Sequence, residues 1–424
     1  MEPNLMSHFE SKLVISCAVI FLTAASLSLY LPELAALFLS STTHGIVAEA
    51  TSIETRQRLF AAAITAPQIC SAIGAPLCGA FSDRYGRKRS LIVALSGAVL
   101  AMSLCTISII LHHALMLMAA LALLGLMDGS GVIVQAGLLE ESPPEQHASA
   151  IGKLTACSIL GVMCGPLIGG LTSDERILKF STYYLPFLMT AGLFAVATGI
   201  VTVWYKEGAC KPPPDRTHGP GYFKELLDTI RLARIRRFVY LLFLMEIVIA
   251  CFYQRLPLLL QQHHAGPSSL GLFGAYIASL IAFTCAVVVP AIPTSIPVRI
   301  SMTGSFLLLA FAGALLLRQP AVPRLWLSGL PFAVGAGIIY CLSTARITEW
   351  TSPSDQGKLA GITISISALA FLVAGVAMAS SVGSEMLSSA MIPAVAFIGI
   401  CVAASRGPLH RYYSDPSPST SSLT

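Results

Sequence analysis

The chain has 424 residues, of which 55% are hydrophobic and only 11% are charged, and its mean hydropathy is +0.76. Soluble domains have about a quarter of their residues charged, so this chain cannot cover a globular surface with polar groups and is predicted to face lipid over most of its area. The net charge of +5 does not indicate nucleic-acid binding, because the basic residues lie in short connections between apolar runs.

The composition also argues against an enzyme or a metalloprotein. Of the 11 cysteines, only Cys210 lies in a clearly polar segment, and no C-x-x-C pair occurs. The histidine pairs His112-His113 and His263-His264 have no nearby acids or cysteines that would complete a metal site. P-loop and G-x-S-x-G patterns are absent. We therefore expect no catalytic residue, no cofactor and no metal.

The apolar runs predict an all-α membrane protein of twelve spans, since a spanning helix needs about 20 mostly apolar residues. The first run extends from Leu13 to about Phe38, longer than the roughly 7–15 residues of a signal-peptide core, and is predicted to be retained as a span. The predicted spans are 13–36, 59–81, 90–111, 114–138, 151–171, 183–204, 238–260, 268–292, 297–317, 325–346, 359–382 and 387–404.

The distribution of Lys and Arg predicts the orientation. With both termini on one side, that side carries 19 of the 26 basic side chains. Basic connections stay in the cytoplasm, so both termini are predicted to be cytoplasmic. We expect the protein in the plasma membrane and not in an internal one.

A polar segment divides the chain. Residues 205–237 open with a proline run and end in a basic amphipathic stretch, Phe223–Arg237, which is predicted to lie on the inner membrane face. The predicted units are a six-helix half over 1–204, this linker, a second six-helix half over 238–405 and a disordered cytoplasmic tail over 406–424.

The connection between the second and third spans is the most specific motif. It combines a small residue, an acid one turn later, a glycine able to make a tight turn and a cluster of cations. An acid at this helix end can face a neighbouring helix N-terminus or an Arg and form a charge-dependent latch. The motif residues are Gly79, Asp83, Arg84, Gly86, Arg87 and Lys88.

This loop resembles the signature G-x-x-x-D-R-x-G-R-[RK] of the major facilitator superfamily of transporters, complete at every defining position. The resemblance implies the superfamily's bundle of two six-helix halves and a latch that closes the cytoplasmic side during alternating access. The alternative is a plain basic cytoplasmic loop, which explains the cations but not the spacing of Gly79, Asp83 and Gly86.

Span five carries small residues that favour close helix packing and a proline that should bend the helix. Their spacing resembles the antiporter motif of the drug:proton exchangers in that superfamily, and Leu31–Ala35, with Glu33, is similar to their P-E-[IL]-A sequence. The alternative is that the pattern only produces a tightly packed, kinked helix that has no role in substrate transport. The motif residues are Gly152, Gly161, Gly165, Pro166, Gly169 and Gly170.

The sequence also departs from that subgroup. Gly125 and Asp128 stand where it usually has the Arg and Gln of R-x-x-Q-G-x-G in span four, and the second half lacks an acid–Gly–Arg loop. The second half loosely resembles the folate-transporter-like branch, which includes uptake symporters.

Charges within apolar spans are the candidate functional side chains, since they are costly in hydrocarbon and usually face a cavity. Asp128 and Glu246 lie near the middle of spans four and seven, and we expect one of them to carry a proton; a static polar contact is the alternative. Arg255 is expected to meet an anionic substrate or to extend to the interface. Arg255 is out of phase with Glu246, so a same-face pair is excluded.

These observations predict a monomeric, proton-coupled exporter of a small organic compound in the lipid bilayer. The alternatives are a proton-coupled uptake symporter, which would accumulate its substrate, and a receptor or scaffold with the same fold, which would bind without flux.

Overall fold

A computed structural model of the chain describes residues 3–39, 46–47, 51–141, 147–174, 182–207, 233–263, 266–293, 295–317, 321–349, 356–380 and 385–405. Most of the predicted linker and the tail after residue 405 lie outside the described residues. The predicted amphipathic stretch enters them only at its end, where a helix begins at Ala233 and continues into the seventh span.

The described residues are almost entirely helical. In chain order the helices are α1 Pro3–Leu29, α2 Leu31–Leu39, α3 Ile53–Tyr85, α4 Arg87–Ile110, α5 Ala114–Leu126, α6 Ser130–Leu139, α7 His147–Ser173, α8 Leu185–Trp204, α9 Ala233–Gln262, α10 Pro267–Phe283, α11 Val298–Leu315, α12 Val322–Glu349, α13 Gln356–Ser380 and α14 Glu385–Ala404. A π-helical turn over Thr284–Val288 follows α10 directly.

Every predicted span coincides with one of these helices or, for the first and the fourth span, with two consecutive ones, which confirms the twelve-helix bundle. Within the described residues ten helical segments are long and apolar enough to cross a membrane, and the last two predicted spans coincide with the shorter apolar segments Ser365–Met378 and Ser389–Ala404. Two spans are interrupted: the first at Tyr30, between α1 and α2, and the fourth over 127–129, between α5 and α6.

Many hydroxyl side chains inside the spans donate to a carbonyl three or four residues earlier on their own helix, for example Thr65 to Ala61 at 2.7 Å and Ser103 to Val99 at 2.8 Å. Such bonds leave the polar residues of the spans compatible with lipid or with a packed interior. Within the described residues, the buried hydroxyls of Ser16 and Ser343 have no hydrogen-bond partner.

The buried side chains form two hydrophobic clusters. The first cluster consists of buried side chains between Leu13 and Tyr205, and the second of buried side chains between Phe238 and Ala403. Helices α7 and α10 pack together across the two clusters, and so do α3 and α13. We call the face where α3 turns into α4 the loop face, and the face where α7 ends and α10 begins the far face.

Candidate functional site

The turn between α3 and α4 gathers polar groups around Arg87. The Arg87 Nη1 lies 2.6 Å from Asp83 Oδ1 and donates to Ser82 Oγ at 2.8 Å. The Nη2 pairs with Glu140 Oε1, and Nε donates to Glu140 Oε2 at 3.3 Å. One guanidinium therefore joins the end of α3, the start of α4 and the residue that follows α6.

Gly86 occupies a backbone conformation that other residues rarely adopt, with φ +95° and ψ 155°. A Cβ there would also lie 3.0 Å from the Glu207 carboxyl carbon. The Glu207 carboxylate accepts the backbone N–H of Lys88 at 3.2 Å and so places a negative charge at the N-terminus of α4, where the helix dipole favours it. The motif therefore has a glycine here for two reasons: the turn needs a positive φ, and a side chain at this position would collide with the Glu207 carboxylate.

Two other motif residues make fewer contacts. A Cβ on Gly79 would meet nothing within 4 Å, so packing does not require a glycine there in this conformation. Arg84 is exposed, with its guanidinium 5.3 Å from the centre of the Tyr85 ring. Neither residue belongs to the cluster around Arg87.

A second polar cluster lies beside the first, at Lys12. The Lys12 Nζ lies 2.5 Å from Glu141 Oε1 and 5.0 Å from the centre of the Tyr205 ring. Tyr205 is fully buried, its hydroxyl has no hydrogen-bond partner within the described residues, and burial raises its pKa. Lys12 therefore ties α1 to the residues that follow α6 and α8.

Three glycines of the span-five motif face α1. A Cβ on Gly161 would lie 2.5 Å from the carbonyl oxygen of Phe21. Cβ atoms on Gly165 and Gly169 would also meet the α1 backbone, whereas one on Gly152 would meet nothing within 4 Å. These contacts fit α7 against α1 at backbone distance, as small residues allow.

The other face of the same motif contacts α10. A Cβ on Gly170 would lie 2.7 Å from the Pro267 carbonyl oxygen and 2.8 Å from the Gly271 Cα. The carbonyl oxygen of Pro166 likewise occupies the place where a Cβ on Gly271 would lie. Residues of the motif thus form a backbone-distance contact between α7 and α10, which belong to different hydrophobic clusters.

Asp128 lies in the turn that interrupts span four. Ser71 Oγ donates to its Oδ2 at 3.0 Å, and Cys78 Sγ lies 3.7 Å from the Leu126 carbonyl oxygen that the turn leaves without a helical partner. Gly74 packs against the Leu126 backbone. Ser71, Gly74 and Cys78 recur at helical spacing, so one face of α3 contacts the interruption, while Met127 packs against Gly97 of α4.

Glu246 is the corresponding acid of the second cluster. It is buried in the middle of α9, and Ser367 Oγ of α13 donates to its Oε2 at 3.1 Å. Arg255, on the same helix, is buried and donates from Nε to Ser389 Oγ of α14 at 3.0 Å. The two charged residues therefore contact different neighbours, Ser367 for Glu246 and Ser389 for Arg255.

Glu33 is fully buried in the first turn of α2. The structure thus buries Glu33, Glu246 and Arg255 in packed helices and leaves Asp128, in the turn between α5 and α6, partly buried. It gives Asp128 and Glu246 separate serine partners and does not join them in one hydrogen-bonded group.

Sequence reasoning missed the partners of these residues. Glu140 and Glu141 follow span four on the side of the cationic loop, and this charge complementarity was a usable signal for the ion pairs with Arg87 and Lys12. Ser71 and Ser367 carried no comparable signal, because serines occur throughout the spans.

A bundle of membrane-length helices around two cores, with buried carboxyls in its spans, defines a multi-pass integral membrane protein. Residues 14–375 match the Major Facilitator Superfamily, and the chain belongs to this family of transporters. It is 26% identical over 309 residues to the class D tetracycline resistance protein of Salmonella ordonez, covering 71% of this chain and 73% of that protein.

Two further similarities point the same way. The multidrug resistance protein MdtG of Serratia proteamaculans is 30% identical over 137 residues, which are 32% of this chain and 31% of that protein. The crystal structure of a D-xylose–proton symporter superposes with a TM-score of 0.70 at 14% identity, covering 92% of this chain and 97% of the symporter. This last similarity supports the fold alone.

Proposed function

We propose that the chain exports a small organic compound and that protons moving in the opposite direction drive the export. The carboxyls of Asp128, which is partly buried, and of Glu246, which is buried, carry this proposal. Asp128 and Glu246 each accept one hydrogen bond from a serine, and within the described residues neither pairs with a cation. Because an unpaired charge is costly in a membrane span, a carboxyl that alternates between burial and contact with water can bind and release a proton.

The direction of transport rests on the resistance proteins that the chain resembles and on the span-five motif. Uptake symport is the second candidate, because the second half of the sequence loosely resembles the folate-transporter-like branch, which includes uptake symporters. The compound is proposed to be of the drug or metabolite class, as the relatives named for tetracycline and multidrug resistance suggest.

The transport cycle is proposed to rock two halves, 1–204 and 238–405, around the region between them. The Asp83–Arg89 loop serves as the latch of the loop face, which is proposed to be cytoplasmic together with both termini. The protein is proposed to act as a monomer in the plasma membrane.

The proposal is tested in vesicles that contain the purified chain, with tetracycline as the first probe and an imposed pH gradient as the driving force. We expect gradient-driven movement of the probe, which Asp128→Asn, Glu246→Gln or both substitutions reduce at least tenfold. Glu54→Gln is the matched control, because Glu54 is an exposed acid in the first turn of α3.

Full gradient-driven transport by the double variant would exclude these two residues as proton carriers. Probe movement with the opposite dependence on the gradient would favour symport. Binding of the probe without movement would favour a receptor.

A further inference from the structure

Asp174 joins α7 to the first turn of α10 at the far face. Its Oδ2 accepts a hydrogen bond from Ser268 Oγ at 2.5 Å, and a Cβ on Gly266 would lie 3.2 Å from the same oxygen. Asp174 is only 7% exposed. The carboxylate therefore lies directly against the N-terminus of a helix that belongs to the other hydrophobic cluster.

The N-terminus of α10 lacks a cap of its own. Gly266 is the N-cap residue and supplies no side-chain hydrogen bond, and Pro267 follows it without an N–H. The first turn of a helix favours a nearby acceptor and a negative charge, because its N–H groups have no helical partners and the helix dipole is positive there. Asp174 places a carboxylate at this position from α7.

The packing below this contact includes a close approach of two backbones. Gly170 and Gly271 approach each other through their backbones one turn deeper, with a Cβ on either lying 2.8 Å from the other's Cα. At this point the two helices can separate without moving a side chain of either glycine. The hydrogen bond of Asp174 is a directional, charged interaction at the rim of this contact.

We propose that Asp174 is a latch that keeps α7 and α10 together and closes the far face, as a counterpart to the Asp83–Arg89 loop at the loop face. When the latch opens, water solvates both the carboxylate and the first turn of α10, so the exchange is reversible. The proposal rests on the alternating-access part of the proposed function, but not on export or on protons.

Hydrogen–deuterium exchange of the full chain in lipid nanodiscs, without substrate or gradient, tests this latch. We compare the unmodified protein with Asp174→Asn, Ser268→Ala and the double variant. Loss of one charge-assisted contact should speed exchange at 169–174 and 266–271 roughly three- to tenfold, and the double variant should add little to either single one. Exchange at the Asp83–Arg89 loop should slow, because opening the far face closes the loop face.

Glu54→Gln is the control, since it removes an exposed acid from the same face. Exchange in Asp174→Asn equal to that in Glu54→Gln overturns the proposal. Faster exchange at the far face with an unchanged loop also overturns it, because Asp174 would then be a local cap only. If Asp174→Asn does not yield a monodisperse protein, Ser268→Ala decides by the same criteria. Because no flux is measured, failure of the latch and failure of proton-driven export remain distinguishable.

Discussion

The ion pair between Arg87 and Glu140 offers a quantitative test of the loop-face cluster. Its two side chains are 14% and 31% exposed and meet through two nitrogen–oxygen contacts. An exposed ion pair contributes about 0–1 kcal/mol to the free energy of unfolding, and a hydrogen bond to a charged group contributes about 1.5–3 kcal/mol. This half-buried pair should therefore have a coupling energy of about 1–2 kcal/mol. In a unit of 150–250 residues, about the size of the first half, 1 kcal/mol changes Tm by roughly 2–4 °C.

A double-mutant cycle measures this coupling. Arg87→Gln, Glu140→Gln and the double variant are purified in detergent, and their Tm values are taken from the loss of monodisperse protein on heating. Arg87→Gln leaves the Glu140 carboxylate without this cation, and Glu140→Gln leaves Arg87 with Asp83 alone. The double variant should therefore lose about 2–8 °C less than the sum of the single losses. Arg89→Gln is the matched control, since Arg89 is an exposed cation of the same loop. Additive losses, or an equal loss in the Arg89 variant, would refute the assignment of Arg87 as the centre of the cluster.

Two further predictions concern packing and burial. Gly161→Val should abolish monodisperse expression, because the valine side chain would collide with the α1 backbone. Gly152→Val in the same motif should change the free energy of unfolding by no more than about 1 kcal/mol, because the space beside Gly152 is open. Size-exclusion profiles compare the two variants, and equal profiles would contradict the packing argument. Tyr205→Phe should leave stability at pH 7 unchanged or higher, because the buried hydroxyl has no partner within the described residues. Burial raises the pKa of Tyr205 in the folded state, so Tyr205 ionises at lower pH in the unfolded chain than in the folded one. The stability of the unmodified protein should therefore fall above about pH 10. Alkaline denaturation should show a smaller fall in Tyr205→Phe.

The spans and their number followed from the sequence because a bilayer imposes one simple requirement, a long apolar run, on every helix that crosses it. The turn at Gly86 was equally predictable, since a glycine between an acid and a group of cations indicates a tight turn at a helix end. Both properties depend on residues that are close in sequence.

The partners of the candidate residues depend on packing between distant segments. Ser71 reaches Asp128 across 57 residues, and Glu207 reaches the start of α4 across 119. No local pattern encodes such pairs. The interruption of span four had a partial signal in Gly125, Gly129 and Gly131, because several glycines in one helix weaken it.

That interruption divides span four into two helices, α5 and α6, joined at Asp128. Helix α5 packs against α3 where Gly125 meets the backbone of Pro67, and α6 leads directly into Glu140 and so into the ion pair with Arg87. A tilt of α6 can therefore be taken up at residues 127–129 without moving α5. Any rearrangement of the loop-face cluster that tilts α6 then also changes the surroundings of Asp128.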